Sequence, residues 1–326
     1  MKKVAIIGCG AIASTHINAI LCNNKTIVGI CDIIEEKAIK LNNDFNLNAK
    51  VFTDYVLMLD ELCIDVVHIC TPHYLHKEMV IEALKRNINV LCEKPLCISL
   101  VEINEIKTQL ENSEAQLGVC YQNRYNETTI KAKEICDKIG FNKGVASLRW
   151  KRVGDYYINS SWRGKWNTEG GSLLMNQSIH TIDLLCYLLG VPQELTATYG
   201  NLMHKDIIET EDTAEITFYG ENISFEFSGT TNADKDYPNS IELLSDNNKL
   251  IITPNSITFN GKSDTHQMDE IHFVKSVWGD GHKKLVKDFY DCIEKSKPFS
   301  IGFDEAIISL KAVLAAYRSH GNKIKI

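Results

Sequence analysis

The sequence predicts an α/β chain of two domains, a doubly wound parallel sheet followed by an α+β domain on a large, mostly antiparallel open sheet. Three observations carry this. Through about residue 122, short apolar runs without polar alternation take turns with stretches of helical periodicity, the mark of parallel strands covered on both faces. Beyond that point strands follow one another directly across turns such as Gly220-Glu221-Asn222 and Asp246-Asn247-Asn248, the mark of antiparallel pairing. The length, 326 residues, suffices for two domains that each bury a core. The expected division is 1–122 and 123–326.

The elements follow in order. Val4-Ala5-Ile6-Ile7 is the first strand, and a helix runs through Ser14 to Ile20. Thr26 to Asp32 is the second strand and Glu35 to Asn43 a helix. Asp65 to Cys70 is a strand ending at Thr71-Pro72, and the helix from Leu75 to Arg86 carries Met79, Ala83 and Leu84 at helical spacing. Strands at Asn89 to Glu93 and Gln116 to Tyr121 complete the first sheet. A helix from Thr128 to Ile139 then leads to a strand, Gly144 to Trp150, and to a polar, aromatic loop from Val153 to Gly170. After a helix from Ser172 to Leu189, strands are expected near Glu194–Tyr199, Asp212–Tyr219, Ile223–Ser228, Ser240–Leu244, Lys249–Thr253 and Ser256–Phe259. Two helices, Lys283–Lys295 and Phe303–Ser319, close the chain.

Composition narrows the function classes. With 44% apolar and 24% charged residues the chain reads as an ordinary soluble protein, and a net charge of -7 leaves no basic excess for nucleic acid or an anionic membrane. The opening apolar run is broken at Gly8 and Gly10, so it reads as a strand, not a signal peptide, and no stretch approaches a membrane span. Eleven cysteines, an odd number without any C-x-x-C spacing, sit mostly within apolar strands and helices. They read as small buried hydrophobes in a reducing, cytoplasmic setting.

Gly8-Cys9-Gly10-Ala11-Ile12-Ala13 lies between the first strand and the first helix. Gly8 permits the tight turn, Gly10 lets the backbone amides of the turn approach a pyrophosphate at the helix N-terminus, and Ala13 takes the small packing position. Asp32 ends the second strand at the offset from which a carboxylate accepts the adenosine ribose hydroxyls; a helix cap is its bland alternative. This is a Rossmann fingerprint. Ile33 and Ile34 offer no partner for a 2′-phosphate that Asp32 would repel, so NAD is expected over NADP. Cys92-Glu93-Lys94-Pro95 puts a lysine at the ligand-facing end of a parallel strand, where by itself it reads equally as a solvated surface lysine.

Four segments together resemble the Gfo/Idh/MocA oxidoreductase family, which includes inositol dehydrogenases and many sugar oxidoreductases. They are the Gly8-to-Ala13 turn, Thr71-Pro72-His73-Tyr74-Leu75-His76, Glu93-Lys94-Pro95, and Gly170 through Leu185. Gly281-His282 to Asp288-Phe289 and Pro298 to Tyr317 also fit, so the resemblance spans essentially the whole chain. It implies a bilobal enzyme with the nicotinamide between its domains. Gly8, Gly10, Ala11, Ile12, Asp32, Thr71, Pro72, His76, Glu93, Lys94, Asn123 and Arg163 would line the cofactor, with Gln122 close by. Lys94 and His180 would be the catalytic pair, and Arg124, Trp162, Asn176 and Asp183 would meet the substrate. A homo-oligomer, dimer or tetramer, joined through the open face of the second sheet, is a further family expectation.

The residues agree with that chemistry. Taking a hydride from a carbinol carbon requires the hydroxyl proton to leave, which suits a base with a pKa near ~6.5 such as histidine. A lysine ammonium beside the same oxygen stabilises the alkoxide. On a regular helix Asn176, His180 and Asp183 share a face. Many family members carry Asp where this chain has Asn176, and a neutral amide accepts no proton, so position 176 is expected to position substrate. With Tyr156 and Trp162 adding aromatic surface, the cleft suits a small polyhydroxylated substrate better than a simple alcohol. His282 reads equally as a cleft residue and a helix cap, and His16 as a structural contact. His73, His204, His266, His272 and His320 show no metal-ligand spacing, so no metal is expected. Two other readings are an NAD-using glycosidase with transient redox, and a non-catalytic NAD-binding regulator, against which the presence of both Lys94 and His180 argues.

Overall fold

In the computed structural model of the chain, which describes residues 2–266 and 281–326, two compact units form. Unit 1 holds the described residues 2–122 and 282–306, and unit 2 holds 123–266, 281 and 307–326. His272 lies outside the described residues.

Unit 1 is built on β1 (Lys3–Ile7), β2 (Thr26–Cys31), β3 (Lys50–Phe52), β4 (Val66–Ile69), β5 (Asn89–Cys92) and β6 (Leu117–Val119). They form one parallel sheet in the order β3-β2-β1-β4-β5-β6, the doubly wound Rossmann order. The central strands are buried on both sides: four of the five β1 residues and all four of β4 are inaccessible, and His68 is the one polar side chain among them. The order reverses between β1 and β4, so the loops after these two strands border the crevice where such sheets take ligands. Helices α1 (Ala13–Cys22), α2 (Glu35–Asp44), α3 (Tyr55–Glu61), α4 (His76–Lys85) and α5 (Leu100–Leu110) connect the strands. The sequence reading lacks β3, α3 and α5. Caps nevertheless announce the two helices: Asp54 accepts the amides of Val56 and Leu57, and Ser99 with Glu102 forms a capping pair, each accepting an amide at the start of α5.

Unit 2 begins with α6 (Glu127–Ile139), β7 (Lys143–Arg149) and α7 (Gly154–Ile158), a single turn inside the expected loop. The expected helix Ser172–Leu189 is two elements, a π-helical turn Leu173–Ser178 and α8 (Ile179–Leu189). β8 (Glu194–Gly200), β9 (Thr213–Tyr219), β10 (Ser224–Thr230), β11 (Ser240–Ser245), β12 (Asn248–Ile252), β13 (Ser256–Phe259), β14 (Lys262–Thr265) and β15 (Ile324–Lys325) join β7 in a nine-stranded sheet. Its order is β14-β13-β12-β11-β7-β10-β9-β8-β15, antiparallel throughout except where β10 runs parallel to β7. On β7 the residues Gly144, Ala146 and Leu148 are buried while Lys143, Val145 and Arg149 are exposed, so one face is packed and the other open. The short edge strands β14 and β15 are additions to the expected set.

The chain then returns to unit 1. Within α9 (Gly281–Glu294) and the turn after it, Gln116 on the edge of the first sheet receives the Phe299 amide and donates to the Lys297 carbonyl. The Val119 amide of β6 donates to Ile301, and Phe289 and Phe299 meet edge to face at 5.1 Å. The expected second domain, 123–326, is thus interrupted: residues 282–306 complete the core and edge of the first. α10 (Phe303–Ser319) follows, its greater part in unit 2. No described helix is long and apolar enough to cross a membrane, and all eleven cysteines are free thiols.

Candidate active site

At the end of β1, Gly8 has φ +93, and a Cβ there would lie 2.8 Å from the Cys70 carbonyl carbon and oxygen and from the Thr71 methyl. Only glycine lets β1 and β4 approach this closely with that turn. Gly10 is exposed, with open space where a Cβ would be. Ile12 occupies the N-cap of α1 and offers no side-chain acceptor; the Ala13 and Thr15 amides are taken by the Gly10 and Ile12 carbonyls, and the positive end of the helix favours an outside anion. Asp32 accepts the Cys9 amide at 2.8 Å and the Ile34 amide at 2.9 Å, holding the turn while keeping a part-exposed carboxylate at the end of β2. Ile33 beside it is 86% exposed and apolar. These features fit a dinucleotide: a cradle for its pyrophosphate and an anionic acceptor for ribose hydroxyls.

After β4, buried His76 faces the Pro95 carbonyl through Nδ1 at 2.7 Å and the Thr71 carbonyl through Nε2 at 2.8 Å, tying the loops that follow β4 and β5. Burial lowers its pKa, against the pull of those two carbonyls. From Val90 to Cys97 every residue is buried except Lys94, which is part-exposed. Glu93 lies beside it in a chain of buried polar groups that sequence reading does not join. Glu93 Oε1 is 2.9 Å from His16 Nε2, His16 Nδ1 is 2.8 Å from His68 Nδ1, and His68 Nε2 is 2.8 Å from the Tyr290 hydroxyl on α9. Burial opposes the Glu93 charge, but the hydrogen bond from His16 and nearby positive charge hold the carboxyl well below its usual range. Burial drives His68 far down and His282 down to about 4. A carboxylate only accepts, so His16 Nε2 carries a proton. With neutral rings the remaining bonds then have one polarity: Tyr290 donates to His68, and His68 donates to His16.

His282 Nε2 is 3.9 Å from the same Glu93 oxygen, so its side chain belongs to this cluster. Donor atoms of His16, Glu93 and Cys120 lie within 4.8 Å of one another, a set with metal-ligand types. His16 Nε2 meets Glu93 Oε1 at 2.9 Å and lies 3.9 Å from Cys120 Sγ. The trio reads as a hydrogen-bonded cluster.

In unit 2 the π-helical turn and α8 are buried all round from Gly171 to Cys186 except at Asn176 and His180, which are part-exposed. π-helical turns concentrate at functional sites. Gly171 enters the turn at φ +135, where a Cβ would fall 1.8 Å from the Tyr317 hydroxyl. Asp183 does not share the exposed face. It is 1% exposed and takes a two-pronged ion pair from Arg124, Nε to Oδ2 at 2.9 Å and Nη2 to Oδ1 at 2.7 Å. Arg124 also lies over Tyr187 at 4.6 Å. These two residues, expected at the substrate, are spent on each other. Asn123 and Trp162 are part-exposed, and Arg163 stacks on Tyr156 at 4.2 Å and Trp162 at 5.2 Å. Arg152 covers Tyr156 at 5.4 Å and approaches Gln177 at 3.3 Å. Two residues without a sequence signal, Glu169 and Glu211, lie buried behind the turn.

Comparisons with known proteins agree with this geometry. The Gfo/Idh/MocA profile described as an oxidoreductase family with an NAD-binding Rossmann fold matches residues 2–121, and its C-terminal alpha/beta domain matches 145–326. Glucose-6-phosphate 3-dehydrogenase of Bacillus subtilis is 30% identical over 200 residues, 58% of this chain and 54% of that protein. Inositol 2-dehydrogenase of Salmonella typhimurium is 24% identical over 200 residues, 60% of this chain and 57% of that protein. The matched stretch spans little more than half the length of these two relatives. The WlbA dehydrogenase of Bordetella pertussis, solved with NADH and UDP-GlcNAcA, superposes with a TM-score of 0.87 at 25% identity, covering 100% of this chain and 99% of that one. With both domain profiles matched in sequence order, the chain belongs to the Gfo/Idh/MocA oxidoreductase family, and its N-terminal unit is an NAD-binding Rossmann domain.

Proposed function

We propose that the protein is an NAD-dependent dehydrogenase that moves a hydride between nicotinamide and a secondary hydroxyl or ketone on a polyhydroxylated ring: a sugar, sugar derivative or cyclitol. The observation that carries this reading is selective exposure. From Gly171 to Cys186 only Asn176 and His180 reach the surface, and from Val90 to Cys97 only Lys94 does. Part-exposed polar side chains set among buried apolar neighbours stand where a ligand can reach them.

Gly8 to Ile12 would hold the pyrophosphate at the start of α1 and Asp32 the adenosine ribose, with Thr71, Pro72, His76 and Glu93 toward the nicotinamide end. NAD, when bound, takes up the hydride. His180 accepts the hydroxyl proton, the Lys94 ammonium stabilises the oxygen that loses it, and Asn176 orients the ring. Arg124 and Asp183 act one step behind, as a buried pair that secures α8. Arg152, buried and ion-paired with Asp236, backs Tyr156, and the part-exposed Arg163 guanidinium stacks on the same ring. Arg163 favours a ring bearing an anionic group (a phosphate, carboxylate or nucleotide), a feature of the glucose-6-phosphate and UDP-GlcNAcA named for two of the similar proteins. Free thiols support a cytoplasmic setting, and the open face of the second sheet is the surface proposed for self-association.

NADH formation across sugar phosphates, nucleotide-linked uronates, free hexoses and inositols, set beside lactate, malate and isopropanol, tests the reading. A polyhydroxylated ring should be the best substrate, with anionic rings ahead of neutral ones. A small hydroxy acid as best substrate would defeat it. Hydrolysis of a glycoside without net NADH would point instead to the glycosidase chemistry.

A further inference from the structure

We infer that Glu169 is a positioning residue that fixes which way the Asn176 amide faces, so that position 176 offers a substrate hydroxyl an acceptor and not a donor. This rests on Asn176 facing substrate, as proposed above. Glu169 is fully buried. Its Oε2 accepts the Gly164 amide at 2.6 Å and the Ser172 hydroxyl at 2.5 Å, and its Oε1 accepts Asn176 Nδ2 at 2.5 Å. A carboxylate bound by two donors on one oxygen can only take the amide by its NH2 arm, which turns Oδ1 away from Glu169.

The turn that carries Asn176 is gripped from the same side at two further points. Glu211 Oε1 accepts the Leu174 amide at 2.8 Å and the Tyr317 hydroxyl at 2.7 Å. Ser172 joins the two carboxylates: its hydroxyl donates to Glu169 and lies 2.6 Å from Thr210 Oγ1, while its amide reaches Glu211 Oε2 at 3.4 Å. Leu174 and Asn176 of one π-helical turn, and Ser172 just before it, are therefore held by two buried carboxylates. The carboxyl group that an aspartate would place at 176 stands one layer deeper, at Glu169, and the exposed layer is a neutral acceptor of fixed direction. A substrate that meets Asn176 must donate to it, which selects a ring hydroxyl next to the reacting carbon.

The arrangement predicts a specific exchange. In Glu169→Gln the glutamine oxygen takes the Gly164 and Ser172 donors, its NH2 faces Asn176, and the Asn176 amide must turn over and present its own NH2 to substrate. In Asn176→Asp two carboxylates meet. In the double variant the glutamine at position 169 donates its NH2 to the new carboxylate at position 176, which again presents an acceptor. Each single change should raise KM about tenfold, the size of one lost hydrogen bond, with a smaller loss in kcat. The double variant should return KM to within about threefold of wild type. KM effects that multiply in the double variant, or an unchanged KM in Glu169→Gln, would overturn the inference.

Thermal unfolding of the same set without substrate reads the 169–176 coupling directly: the singles should lower the midpoint and the swap restore it, and additive midpoints would refute the orientation itself. This readout stands even if no sugar is oxidised, an outcome that would remove the dehydrogenase reading alone. Should the variants not fold, wild-type enzyme serves with an accepted sugar whose hydroxyl beside the oxidised carbon is replaced by hydrogen or by fluorine. Fluorine accepts but cannot donate, so both analogues should raise KM equally. A fluoro sugar that binds like the parent would refute an acceptor at 176.

Discussion

Replacing Tyr290 with Phe removes one oxygen from the end of the chain that leads to Glu93 and changes little else. The ring stays in a site only 2% exposed, so no large cavity opens. What disappears is the donor 2.8 Å from His68 Nε2, and among the described residues His68 has only His16 and Tyr290 as hydrogen-bond partners. An orphaned buried acceptor costs about 1–3 kcal/mol. At roughly 2–4 °C per kcal/mol for a domain of this size, the melting midpoint of unit 1 should fall by roughly 2–12 °C. Calorimetry of the free protein reads the midpoint, and quenching of protein fluorescence by NADH reads the consequence at Glu93, whose partner His16 is oriented by His68. Binding of NADH should weaken along with the melt. A Phe variant melting within about 1 °C of wild type, with unchanged NADH affinity, would mean that the chain does not run from Tyr290 to Glu93 with the polarity assigned above.

Burial lifts Glu211 from 4.5 to about 7, with the Leu174 amide and Tyr317 hydroxyl opposing. A raised carboxyl contributes stability that is whole below pH 4.5 and lost as pH rises through about 7, up to about 3 kcal/mol. The unfolding free energy of Glu211→Gln, measured from pH 4 to 9, should therefore lack that fall, and curves parallel to wild type would contradict the assignment. Asp32→Ala should weaken NAD binding by ~1.5–3 kcal/mol and erode the preference over NADP, as measured by titration with both cofactors. Equal use of NADP by the unaltered enzyme would dispose of Asp32 as the discriminator. Lys94→Met and His180→Ala should each cut kcat by ~10²–10⁴ while NADH still binds, and near-normal turnover would remove that residue from the chemistry.

The sheet architecture is legible because continuous apolar strands, alternating strands and turn residues are local signals. β3, β14 and β15 escape, being edge strands of two to four residues, too short to show a period. α3 and α5 carry caps at Asp54 and Ser99 that mark them, though their apolar spacing is weak. At the candidate site, the glycine turn and Asp32 can be picked out by type and position, and Lys94, Asn176 and His180 are picked out by the family resemblance. Their neighbours cannot. The Arg124–Asp183 pair spans 59 residues and the Tyr290–His68 bond 222, and nothing local announces either. The helix through Asn176 reads at α-helical spacing, but its first turn is π-helical, which shifts the phase between residue 176 and Asp183. Glu169 and Glu211 read as ordinary surface acids, and only tertiary burial reveals them.

The return of residues 282–306 to unit 1 sets a timetable for the nascent chain. When residue 122 has been made, β6 is complete, yet the groups that cover its edge, Ile301 and the backbone at Lys297 and Phe299, are still 175 or more residues from synthesis. At roughly 5–20 residues per second that gap lasts on the order of ten to forty seconds. During it the first sheet has an open flank, and His68 lacks Tyr290. An uncovered strand edge invites pairing with other chains. The N-terminal unit is begun first but completed only when residue 306 has been made, so the ribosome must hold a nearly complete polypeptide before the cofactor-binding half can close its core.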